Sequence, residues 1–132
     1  MARAAGSFEV KILPQTSERE ATDPALGRMS IDKEFSGDLK ATSKGQMLTS
    51  MTDANGAAVY VALERVTGAL NGKRGSFVLY HNGTATRARR DLAVRVAPDS
   101  GTEELAGIDG TMSINIVDKK HFYEFDYTLP AF

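Results

Sequence analysis

Few residues in this 132-residue chain have the types and spacing that chemistry needs, and they concentrate in three short stretches. The first is Tyr60-Val-Ala-Leu-Glu64. Tyr60 and Glu64 lie four apart, so in an extended chain they share a face. Ala58 and Ala62 flank Tyr60 on that face and are small enough to leave room beside it. A carboxylate on an enclosed face loses solvent, which raises its pKa. It would then suit a general base or a stabiliser of a developing cation. The competing reading pairs Glu64 with an arginine across a ladder, with Arg74, Arg87 or Arg89 as partner, because structural ion pairs also perturb pKa values. Arg65 points away from Glu64 and is expected at an outer-face or interface salt bridge. The second stretch holds His81, on one face with Phe77 and Leu79. The third is His121 to Tyr127, where Tyr123, Phe125 and Tyr127 form an aromatic stripe. Such a stripe is core by default, yet Tyr hydroxyls are the placed polar groups by which an apolar pocket orients a ligand. The candidate ligand-binding set is Tyr60, Glu64, His81, Tyr123 and Tyr127.

Several chemistries are excluded or unsupported. There is no cysteine, so disulfides, zinc–thiolate sites and thiol catalysis are out. His81 and His121 are the only histidines and stand alone on different strands, without metal-ligand spacing, so no metal is expected. No cofactor signature is present. Gly72-Lys-Arg-Gly75 is too short for a phosphate loop and lacks the following Lys-Ser/Thr helix. Ser76 has no nucleophile elbow around it. Arg87-Ala-Arg-Arg90 is a small basic patch without interleaved aromatics, and the net charge is −1, so no nucleic-acid partner is expected. No apolar run is long enough for a membrane helix. The N-terminus carries no secretion-signal pattern, and the chain reads as cytoplasmic.

The elements that must position these residues are strands. Phe8, Val10 and Ile12 alternate with polar neighbours through Ser7–Leu13, and Pro14 ends that pattern. Residues 15–27 read as a long polar loop. Alternation resumes over Arg28–Phe35 through Ile31, Lys33 and Phe35, followed by a turn or bulge at Gly37-Asp38. Further strands are expected over Leu39–Thr52, Ala58–Leu70, Ser76–His81, Ala85–Ala97, Thr111–Val117 and His121–Leu129. Turn signals separate them at Asp53–Gly56, Asn71-Gly72, Asn82-Gly83 and Asp118–Lys120. Ser100–Gly107 departs from this pattern. Its Ser100-to-Glu103 spacing, a competing cap at Thr102 and a terminal Gly107 predict one helical turn near Thr102–Ala106, held by Leu105 and Ile108.

Seven or eight strands joined mostly by tight turns point to an antiparallel meander. In a chain this short, closure into a barrel removes exposed edges, and about eight strands leave room inside for side chains or one small ligand. The expected fold is all-β: a single domain over residues 1–132, a mostly closed antiparallel eight-stranded barrel with one short helical turn. A two-sheet sandwich is the competing architecture. Residues 60–97 carry seven Lys/Arg against two Asp/Glu, and residues 98–132 carry two against seven. These segments could pair within the barrel, form complementary faces between copies, or simply be solvated.

The stretch Glu64-Arg-Val-Thr-Gly68, the turn Gly72-Lys-Arg-Gly-Ser-Phe77 and His81-Asn-Gly83 resemble an uncharacterised bacterial single-domain family. Pro98 to Gly110, the closing strand His121 to Tyr127 and Phe35-Ser-Gly-Asp38 fit the same pattern, so the resemblance spans most of the chain and is weakest over residues 14–30. The family often carries Gly where this chain has Asp99 or Glu103. In fold, that family is similar to the barrels of allene oxide cyclase and dirigent proteins, which hold an apolar small molecule in the lumen. The resemblance implies a small-molecule-binding barrel with an apolar ligand. The alternatives are an isomerase or cyclase acting on an apolar substrate, and an oligomeric structural or interaction protein with a filled lumen. Related barrels associate through their outer walls, so a homo-oligomer, dimer or larger, is expected. Val59, Val61 and Leu63 give an independent reason: if Tyr60, Ala62 and Glu64 face inward, these three face out and form an apolar patch. In the competing reading, the loop over residues 14–27 covers that wall.

Overall fold

The computed structural model describes residues 1–14, 26–51, 57–86 and 89–130. The expected turns at Asp53–Gly56, and all but the last residues of the 15–27 loop, lie outside them, so the covering-loop reading does too. Eight strands follow in order: β1 (Ala2–Pro14), β2 (Leu26–Gly37), β3 (Leu39–Met51), β4 (Ala58–Leu70), β5 (Lys73–Ala85), β6 (Arg90–Val96), β7 (Asp109–Val117) and β8 (Lys120–Thr128). Each pairs antiparallel with its neighbours in sequence, and β1 pairs with β8 to close the barrel. The stagger that closure demands is visible in β1. Its first half, Ala2–Phe8, pairs with β8, and its second half, Gly6–Pro14, pairs with β2.

Turn chemistry sets the register. Asn71 and Gly72 take φ of 47° and 85°, and Asp118 and Lys119 take 50° and 67°, so both two-residue connections have the paired positive φ of a type I′ hairpin turn. Asn82-Gly83 is not a turn. Both residues lie inside β5, which continues to Ala85, with Gly83 opposite Tyr60 on β4. A Cβ on Gly83 would overlap the Tyr60 ring, so this glycine is there to seat an aromatic ring. The strand expected over Ala85–Ala97 is correspondingly shorter, Arg90–Val96.

The expected helical turn is a single 3-10 turn, Glu103–Leu105, and it lacks the expected capping box: its N-cap, Thr102, makes no side-chain cap bond. Ser100 and Thr102 serve the neighbouring strand instead. Ser100 Oγ accepts from Val78 N and donates to Ala97 O, while Thr102 Oγ1 accepts from Ser76 N. The segment thus satisfies the edge of β5 where β6 has ended, and it drives Leu105 and Ile108 into the lower opening of the barrel. Asp99 and Glu103 take φ of 58° and 53° here, the left-handed region that glycine enters at least cost.

Alternation assigns one face of every strand to the lumen. In the lower half these side chains are packed: Phe8, Phe35, Leu39, Leu70, Phe77 and Phe125 are all nearly inaccessible. Phe77 stacks on Phe125 at 5.6 Å and Phe125 on Tyr127 at 5.3 Å. Among the described residues, no helix is long and apolar enough to cross a membrane.

Candidate functional site

Halfway along the lumen the apolar core gives way to charge. Glu64 on β4 is 1% exposed. The side chains that meet it come from three other strands. Lys33 Nζ on β2 donates to Glu64 Oε2 at 2.8 Å, Ser43 Oγ on β3 donates to Oε1 at 2.7 Å, and His81 Nε2 on β5 lies 2.5 Å from Oε2. Lys33 and His81 are themselves buried, and Lys33 Nζ sits 4.8 Å from the Phe8 ring centroid and 5.8 Å from that of Phe35. The aromatic faces replace part of the water that the ammonium has lost.

Local sequence explains how the strands bring these groups together. Glu64 lies opposite Gly45 on β3, where a Cβ would overlap the Leu63 carbonyl and the Glu64 backbone. Gly45 therefore allows β3 and β4 to approach closely beside the carboxylate. Lys33 occupies an inward position in the Ile31–Lys33–Phe35 alternation, and Ser43 follows Ala41 on the inward face of β3. Neither was singled out from sequence. The available signal was a lysine standing where alternation demands an apolar residue.

The Glu64 carboxyl was expected to be raised by enclosure, and the structure reverses that. Burial does push it up, but the His81 hydrogen bond, the Lys33 and His81 charges and the Lys33 hydrogen bond outweigh it and hold it at about 2. Its partners are Lys33, Ser43 and His81; of the arginines weighed as partners, Arg74 and Arg89 are exposed and Arg87 lies outside the described residues. An ionised carboxylate only accepts hydrogen bonds, so His81 Nε2 carries the proton in this contact and Nδ1 is the ring nitrogen left over.

The other sequence candidates divide between two levels. Tyr60 is half-buried on the inward face above Glu64, with its ring over Gly83; burial and then the Glu64 charge raise its phenol pKa, so it stays a hydroxyl donor. His81 touches Glu64 directly. Tyr123 and Tyr127 lie lower, in the packed half. Tyr123 Oη donates to Ser36 O and accepts from Leu39 N, both at 2.9 Å, which ties down the β2–β3 link. Tyr127 Oη accepts from Asn71 Nδ2 at 2.6 Å. Their hydroxyls are engaged with the barrel itself. His121 lies against Phe8, with ring centroids 5.1 Å apart. Arg65 is exposed on the outer wall. Among the described residues no three His, Asp or Glu side chains gather as a metal site.

The arrangement can therefore hold a polar group but is poorly suited to remove a proton. At about 2, Glu64 is too weak a base for work near neutrality, and its oxygens already accept three bonds. Tyr60 Oη and His81 Nδ1 make no hydrogen bond among the described residues.

Comparisons with known proteins are consistent with this picture and add no activity. Residues 4–127 match the family model described as a protein of unknown function, DUF3224. A crystal structure of a protein of unknown function from that family, from Shewanella oneidensis MR-1, is 45% identical with a TM-score of 0.91, covering 99% of each chain. No match was found among curated proteins. A family match over nearly the whole chain, together with the same barrel at that identity, makes this protein a member of the DUF3224 family.

Proposed function

We propose that this barrel binds a small apolar molecule in the upper half of its lumen, with the Glu64 cluster as the floor. One observation carries the reading. Ile12, Leu92 and Ile116 occupy inward positions at the end of the barrel where β1 meets β2, yet they are 45%, 44% and 59% exposed. Inward side chains of the lower half are packed. An apolar wall over a polar floor with two unengaged hydrogen-bonding atoms is the usual make-up of a small-molecule site. The strongly acidic Glu64, already accepting three hydrogen bonds, favours binding over an isomerase or cyclase that needs a carboxylate base. Native mass spectrometry of protein purified from its own host tests this: a co-purifying small molecule retained by the unaltered chain and lost from Tyr60→Phe/His81→Ala is expected. An empty protein with no affinity for apolar probes would leave the structural reading, a filled lumen.

A second reading concerns the outer wall, where Leu48, Val59, Val61 and Leu63 form an exposed apolar strip beside Tyr80. Its occupant in this proposal is a second copy of the chain. Charge placement supports that choice: Lys44 and Arg65 flank the Leu63 end, Arg28 stands beside Leu48, and the Val59 end carries Ser50, Thr84 and, beyond Thr84, Asp91. An antiparallel two-fold pairing sets the Lys44–Arg65 end of each copy against the Val59 end of the other and keeps those two basic pairs apart.

A further inference from the structure

The barrel wall is not equally sealed all round. Most neighbouring strands pair over long ladders, and β4 and β5 pair along their full length from Ala58–Ala85 to Leu70–Lys73. The β6–β7 seam is registered only at Val94–Met112 and Arg95–Thr111. Continued upward, the same register would set Leu92 against Ile114. No ladder joins them, although both residues lie within their strands. The ladder ends at Val94, and beside the unladdered stretch Leu92 and Ile116 point inward and yet meet solvent. A slot with apolar lips therefore runs down the upper barrel.

That slot opens onto the candidate site. Leu92 lies opposite Gly83, and Gly83 lies beneath the Tyr60 ring. Val94, at the foot of the slot, lies opposite His81. Tyr60 and His81 are diagonal neighbours across the β4–β5 ladder, since Gly83 faces Tyr60. A molecule with its polar end between Tyr60 and His81 would pass over Gly83 into the slot, along Leu92 and Ile116. Glycine at position 83 keeps that passage low. A long, narrow tail fits such a path, whereas a compact body would fill the lumen and leave the slot empty. The charges specify the head. Lys33 and Glu64 neutralise each other, so beside a neutral His81 ring a further buried charge would lack a counter-ion. A hydroxyl suits the two open atoms because it both donates and accepts: it gives its proton to Nδ1 of a neutral His81 ring, or accepts from Nδ1 of a charged one, while bonding Tyr60 Oη.

We infer that the β6–β7 slot is the tail-binding part of the site, and that the molecule the lumen takes is a straight-chain aliphatic compound ending in a hydroxyl or a comparable neutral polar group. This rests on the lumen-binding reading above and gives it a ligand class.

The probes are the linear primary alcohols from 1-butanol to 1-decanol, with cyclohexanol as a compact control and decanoate as a charged one, titrated against the full chain by NMR. Each added methylene is expected to tighten binding about fourfold while the slot is filling. Ile116→Ser and Leu92→Ser are expected to weaken 1-decanol several-fold and leave cyclohexanol unchanged. Val117→Ser alters an exposed side chain that points outward from the same strand as Ile116, and it should behave as the unaltered protein does. All three positions are solvent-exposed, so these variants keep the fold. Decanoate should bind more weakly than 1-decanol. If cyclohexanol binds but affinity does not grow with chain length, or if Ile116→Ser and Val117→Ser act alike, the slot is overturned and the lumen reading stands. Tighter binding of decanoate overturns the neutral head. If no alcohol, linear or cyclic, binds the unaltered protein, the lumen reading falls and this inference with it.

Discussion

Glu64 is the residue on which the interior depends, and its ionisation gives a measurable pH dependence. Its carboxyl lies at about 2 in the folded barrel against an ordinary 4.5, so the unfolded chain binds more protons between those values. The corresponding stabilisation is complete above the unfolded value and drains away as pH falls from about 4.5 towards 2. Its size is on the order of 3 kcal/mol. Urea unfolding measured from pH 7 down to pH 2 should show this acid limb, and Glu64→Gln should flatten it. Glu64→Gln should also be less stable at pH 7, because Lys33 is left buried without its counter-charge. Asp126, paired with Arg3 at the surface, is present in both proteins and supplies a common background. An acid limb of equal steepness in the two would show that Glu64 is not held ionised.

At the scale of the strand, two glycines shape the upper lumen by different means, and the difference predicts an ordering. A Cβ at Gly45 meets backbone, the Leu63 carbonyl and Glu64 Cα, so β3 and β4 must separate to accept it. The nearest atoms a Cβ at Gly83 would meet are those of the Tyr60 ring, which can swing away. Gly45→Ala should therefore lower unfolding free energy more than Gly83→Ala, which should cost about 1–3 kcal/mol as ordinary overpacking does. Gly83→Ala should also weaken ligand binding, since the displaced ring enters the passage to the slot. Denaturant titration of both variants checks the order, and equal losses would mean that Tyr60 is as immovable as the backbone. The same strand shows what a turn signal is worth. Asn-Gly makes a hairpin at 71–72, where flanking Leu70 and Lys73 pair, yet at 82–83 the ladder runs straight through. The dipeptide permits positive φ without demanding it, and the cross-strand partners decide.

For the whole molecule, the apolar strip over Leu48, Val59, Val61 and Leu63 makes association the measurable property. Sedimentation velocity at micromolar concentration should show a species near twice the 14.2 kDa chain mass. Leu63→Lys/Val61→Lys should return it to monomer by placing uncompensated charge in the strip. Both positions point away from the lumen, so ligand binding should survive the change. A monomer in the unaltered protein would remove the interface without touching the interior.

Most strands, the residues that share a face in each, and a mostly closed meander as the expected fold were legible in the sequence, because period-two alternation and tight turns are local properties that each strand carries alone. On those grounds Tyr60, Ala62 and Glu64 were assigned to one face and Val59, Val61 and Leu63 to the other, which is how β4 is built. What stands beside what is set by the closed barrel. Lys33, Ser43 and His81 are 31, 21 and 17 residues from Glu64, and it is the barrel's stagger that brings them to one carboxylate. That contact turned a carboxyl expected to be raised by burial into one held near 2. Tyr123 and Tyr127 have the same face and type as Tyr60, but their height in the barrel gives their hydroxyls to Ser36, Leu39 and Asn71. The early end of the β6–β7 ladder is likewise invisible in either strand. It depends on the closure of the whole sheet rather than on any local preference.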